Sequence, residues 1–195
     1  MARRVFFSFH YERDVWRANV VRKIWVTKPD REAAGFIDAA EFEEIQRQGD
    51  LAVKRWINSQ LKGTSVTAVL IGAETYRRRW VRYEIIKSFD KGNGLLGIYI
   101  HKIKDKDEKT DFKGENPFEY VGVYIGRDGK AEYCELRNGE WVRFEDYPDC
   151  SGNFDRKYWT GKVYTFSHKT YDWVDDDGYN NIGKWIEESA KQAGR

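Results

Sequence analysis

Hydrophobic positions in the first hundred residues switch repeatedly between two periods, a short continuous run and a helical stripe, as expected of β-α-β units. Arg3 to His10, RVFFSFH with its flanking arginine, predicts a buried strand. Val15, Trp16, Val20 and Ile24 then predict a helix, with Asp14 as its capping candidate. A second short strand is expected over Ala34 to Asp38. Val53, Trp56, Ile57 and Leu61 fall at i, i+3, i+4 and i+8 of a helix that stops at Gly63. Ser65 to Gly72, SVTAVLIG, is β-branched and apolar throughout, so it predicts a central strand covered on both faces. Val81, Ile85 and Phe89 supply the stripe of the next helix, and Gly94 to Ile100 a fourth strand.

Beyond Ile100 the pattern changes. HKIKDKDEKTDFKGENP is charged and poor in apolar residues, and predicts a mobile surface loop closed by Pro117. Three alternating runs follow, separated by Arg127-Asp128-Gly129 and Asn138-Gly139, which are hairpin turn sequences. They predict a small antiparallel meander, placing an insertion at roughly 102–160 of a single domain spanning 1–195. KVYTFS then reads as the last strand, and Ile182, Trp185, Ile186 and Ala190 as a closing amphipathic helix. Together these elements predict an α/β fold, a flavodoxin-like doubly wound parallel sheet of order 2-1-3-4-5.

Composition narrows the function classes. With 34 basic and 32 acidic residues in 195, the net charge of +2 offers no global field for nucleic acid or an anionic membrane. No apolar run approaches the ~20 residues of a membrane span, and the N-terminal run is too short for a signal peptide. Cys134 and Cys150 lack metal-ligand spacing, which favours the cytoplasm. His10, His101 and His168 are scattered, which argues against a metal.

In a sheet of this topology ligands bind beyond the strand ends where the winding reverses, here Ser8-Phe9-His10 and Gly72-Ala73-Glu74-Thr75. Glu84 would stand beside that crevice. The acidic cluster of a phospho-receiver is absent. Gly92-Asn93-Gly94-Leu95-Leu96-Gly97 satisfies G-x-G-x-x-G but follows a helix and enters a strand, so it reads as a helix stop and turn. DWVDDDGYN resembles a calcium loop, but its register puts Trp173 in the first ligand position, so it reads as the approach to a helix.

RVFFSFHYERD resembles the opening strand and loop of TIR domains, and SVTAVLIGAETYRRRWVRYEI their third strand and following Trp-x-x-x-Glu helix, with Trp80 and Glu84. FIDAAEFEEIQRQGD occupies the place of the loop through which TIR domains self-associate. KGENPFEY and YDWVDDDGYNNIGKW extend the likeness, over nearly the whole chain, to the TIR-like subunit family of the bacterial Thoeris anti-phage system. The resemblance implies an enzyme that takes NAD as substrate, with no other cofactor, and cleaves its nicotinamide-ribose bond. It implies a cyclic ADP-ribose-type product that activates a separate effector, self-association, and a trigger from the phage. The alternative is a TIR-like scaffold that turns over nothing.

Breaking an N-glycosidic bond builds positive charge on the ribose, which a nearby carboxylate stabilises. Glu84 is the catalytic candidate; its plain alternative is a surface glutamate paired with Lys87 or Lys91. Trp80, one turn earlier, would wall the site. Ser8, Phe9 and His10 line the NAD site by resemblance, or else end a strand, fill the core and sit in a loop. Asn19 faces either solvent or the ribose. Arg77, Arg78, Arg79 and Arg82 oppose the helix dipole. They either pair with acids from elsewhere or supply one or two contacts to the pyrophosphate, Arg82 being the first choice.

Overall fold

The computed structural model describes residues 3–36, 39–150 and 152–195. Its central sheet has five strands, all parallel, in the order β2-β1-β3-β4-β9. These are β1 (Arg3–Ser8), β2 (Arg31–Ala34), β3 (Val66–Ile71), β4 (Gly94–Tyr99) and β9 (Thr170–Asp172). Alternate side chains feed two cores. Val5, Phe7, Ala68, Leu70, Leu96 and Ile98 pack under α1 (Tyr11–Val26) and α5 (Gly178–Gln192). Phe6, Val69, Ile71 and Leu95 face α3 (Asp50–Leu61) and α4 (Arg79–Asp90). All six residues of β3 are buried, as its unbroken apolar run requires.

Between β4 and β9 the chain builds a second sheet, antiparallel, in the order β7-β6-β5-β8. Its strands are β5 (Val121–Ile125), β6 (Ala131–Arg137), β7 (Glu140–Arg143) and β8 (Lys162–Thr165). Both hairpin turns lie where the sequence places them, with Gly129, Asn138 and Gly139 at positive φ. This sheet covers the outer side of α4: Phe166 stacks on Phe89 at 4.3 Å and Tyr147 meets Tyr83 edge-on. Covered on both sides, α4 buries Val81 through Ile86 without interruption.

Six expectations change. KVYTFS is not the fifth parallel strand: β8 pairs antiparallel with β5, so the inserted segment runs past 160, and the short β9 takes the sheet edge. β2 begins earlier than the expected Ala34–Asp38, because an edge strand tolerates Arg31 and Glu32; Ile37 and Asp38 lie outside the described residues. Asp14 does not cap α1, which starts at Tyr11; its N–H already donates to His10 O. The buried face of α1 is Asp14, Arg17, Ala18, Val21 and Trp25, whereas Trp16 is 52% exposed. The segment of FIDAAEFEEIQRQGD from Ala39 to Arg47 is a helix, α2, rather than a loop.

The sixth concerns the charged stretch after β4, which is fastened down rather than free. Arg13 holds Asp111 through two hydrogen bonds of 2.9 Å, and Arg17 donates to Ile103 O and Lys109 O. Gly72 and Gly114 touch so closely that a Cβ on Gly114 would stand 2.0 Å from Gly72 O. The end of β3 is therefore roofed on this side.

Candidate active site

Beside the end of β1 is a crevice of about 200 Å³, walled by Phe9, His10 and Tyr11, by Phe42 and Gln46 of α2, and by the α4 start from Arg78 to Val81 with Glu84. The turn after β3 sets this wall: Gly72 N–H donates to Thr75 Oγ1, a single 3-10 turn follows, and Arg78 is extended before α4 begins. Val81 and Ile85 draw the helix onto the sheet, so Glu84 between them points inward rather than to water.

Glu84 is 7% exposed, and Ser8 Oγ at the end of β1 donates to its Oε2 at 2.5 Å. Burial pushes the carboxyl up to about 8, against the opposing effect of the Ser8 hydrogen bond. The plain alternative fails, since Lys87 stands by Asp90 and Lys91 donates to Leu61 O and Thr64 O. Trp80 is half-buried, packs edge-on against Tyr83 and carries Arg79 over its face. Phe9 packs on Phe36 and Tyr11, and Tyr11 on Phe42, which makes the rim aromatic. His10 is 6% exposed, and burial lowers its pKa, with the Arg78 charge adding to the effect.

The structure thus brings Ser8, Phe9, His10, Trp80 and Glu84 together. It does not bring Arg82 or Asn19 to the crevice wall. Arg82 turns to the antiparallel sheet, donating to Glu135 Oε2 at 2.6 Å, Tyr76 O and Leu136 O. Asn19 is half-buried on α1, two turns beyond the crevice end of that helix. The expected Gly72-Ala73-Glu74-Thr75 wall is absent too, because Asp14 and Gly114 pack onto Gly72 from the other side. Arg79 is held by Asp146 and Asp50, and Arg78 reaches Glu74 and Glu12, so with Arg82 three of the four arginines face acids.

Phe42 and Gln46 were not singled out from the sequence, although their i, i+4 spacing on a helix would have paired them. The likeness to known proteins bears on this geometry. Residues 6–105 match the family model described as "Thoeris protein ThsB, TIR-like domain". The chain belongs to this family. A relative from Bacillus cereus (strain MSX-D12), named "Putative cyclic ADP-D-ribose synthase ThsB1", is 47% identical over 191 residues, covering 95% of this chain and 100% of the relative. The matched TIR-like segment contains every wall of the crevice, from β1 through α4. Among the described residues no helix is long and apolar enough to cross a membrane.

Proposed function

We propose that the protein is an NAD-consuming enzyme of Thoeris defence that releases nicotinamide and closes the remaining ADP-ribose into a cyclic signal. The carrying observation is the Glu84 carboxyl, buried in a crevice wall and bonded to Ser8. A carboxyl withdrawn from water is costly to a fold, and a mute scaffold has no use for it.

The reaction asks for such a group. When the bond from ribose C1′ to the nicotinamide nitrogen breaks, its electron pair leaves with neutral nicotinamide and positive charge stays on the ribose. A cationic nicotinamide ring entering the crevice favours the ionised form of Glu84, and that anion then stabilises the ribosyl cation. A nucleophilic atom at the other end of the same molecule attacks C1′ and gives up a proton; a carboxylate with an affinity for protons near neutrality can accept it. Water would capture the cation as linear ADP-ribose, so ring closure is helped by the aromatic rim of Phe9, Tyr11, Phe42 and Trp80. The product activates a companion effector, and self-association and a phage component control the enzyme.

Glu84→Gln keeps the size and the hydrogen bond of the side chain but removes its charge. It is expected to lower nicotinamide release by on the order of 10²-fold or more. Mass spectrometry of nucleotides from phage-challenged cells carrying either form measures this; equal product from both would reject the assignment.

A further inference from the structure

The first turn of α4 forms one wall of the crevice, and nothing caps it. Arg78, in the capping position, offers no acceptor, and the turn holds no acidic residue. The N–H groups that open a helix have no partner within it, and the helix dipole makes that end positive. Two side chains beside it carry buried nitrogens without a hydrogen bond. Arg78 Nε is buried without a hydrogen bond, while its Nη2 donates to Glu74 Oε2 over a long 3.4 Å and stands 4.0 Å from Glu12. Neither His10 ring nitrogen has a hydrogen-bond partner, although the ring is 94% removed from solvent. The Glu12 carboxylate is 3.6 Å from Nε2, outside hydrogen-bond range.

Buried donors without acceptors are rare because they are costly. Here the Arg78 and His10 nitrogens meet the open start of α4 on one wall, and each suits an anion. We propose that the α4 N-terminus, Arg78 and His10 together seat the diphosphate of the dinucleotide. The inference rests on the NAD reading above and assigns to Arg78 the contact that the sequence assigns to Arg82. The placement agrees with the chemistry. Trp80 and Glu84 lie along the same wall, with Glu84 four residues beyond Trp80, about 6 Å along the axis. A diphosphate at the helix start therefore directs a ribose toward the carboxyl. Glu12 and Glu74 offer Arg78 only long contacts, which a doubly charged diphosphate can replace with short, paired hydrogen bonds.

Calorimetric titration with ADP-ribose, which carries the diphosphate but cannot lose nicotinamide, tests the assignment without a trigger or turnover. NAD is titrated into the Glu84→Gln protein in parallel. Arg78→Ala is expected to weaken ADP-ribose binding about 10- to 100-fold, as for loss of charged hydrogen bonds. Arg78→Lys, which keeps a charge but not the Nε donor, is expected to fall between. If the parent binds and Arg78→Ala binds equally well, the diphosphate site is wrong while the NAD reading stands. If neither ligand binds any form, the NAD reading itself falls. Unfolding temperatures of each variant identify any loss that comes from misfolding.

Discussion

A carboxyl shifted from the ordinary 4.5 to about 8 makes stability itself depend on pH. Below pH 4.5 Glu84 is protonated in both the folded and unfolded chain. Between 4.5 and 8 the fold keeps the proton and the unfolded chain gives it up, so stability falls by up to about 1.4 kcal/mol per pH unit as pH rises. Above 8 both forms are ionised and the loss is complete. Glu84→Gln removes this term. Its stability relative to the parent is expected to rise between pH 5 and pH 8 and to level off beyond, by urea unfolding at pH 5, 7 and 9. A flat difference would mean that the carboxyl is not desolvated. The nearby His10 and Arg78 are present in both proteins, so the difference isolates Glu84.

At the scale of elements, α1 and β3 meet at a point with no spare room. A Cβ on Gly72 would lie 2.1 Å from Asp14 Oδ2, and Asp14 is fully buried with neither oxygen hydrogen-bonded, Arg17 standing 3.8 Å from Oδ1. Burial raises its carboxyl to about 6. Gly72→Ala is expected to destabilise the fold by about 1–3 kcal/mol, and Asp14→Ala to recover part of that in the double variant. Thermal unfolding of the four proteins checks it; additive losses would show that the two residues do not press on each other. The same junction shows why α1 was only partly legible. Its core-facing side includes Asp14 and Arg17, of which Arg17 finds its partners in the inserted segment, so Val15, Trp16, Val20 and Ile24 gave a stripe one position off. The runs of β1, β3 and β4, buried by neighbours on both faces, were plain. β9 was hidden because three residues carry little pattern; Tyr171 stacks on Trp185 of α5 at 4.3 Å, a partner that only tertiary structure supplies. Of the site, Glu84 and Trp80 were legible from their spacing, whereas the fate of Arg82 depended on Glu135, fifty-three residues away.

Across the whole molecule, α4 joins the two sheets. Arg82 and Glu135 form a pair with both side chains about nine-tenths buried, and Asp146 binds Arg79 of α4 and Lys54 of α3. Breaking one partner of such a buried pair leaves the other charge without an answer. Glu135→Met is expected to cost about 3–5 kcal/mol, and the double variant with Arg82→Met less than that, by chemical denaturation. Equal costs for single and double variants would show that the pair does not act as one. These ties also give the antiparallel sheet a hold on the helix that carries Glu84. The spindle between the layers has no slack: were an outside body to prise the outer layer away, Arg82 would be stripped of Glu135 and Arg79 left with Asp50 alone, at the helix end least able to tolerate bare cations. The first turn would fray, and the sugar-facing acid would lose its alignment with it.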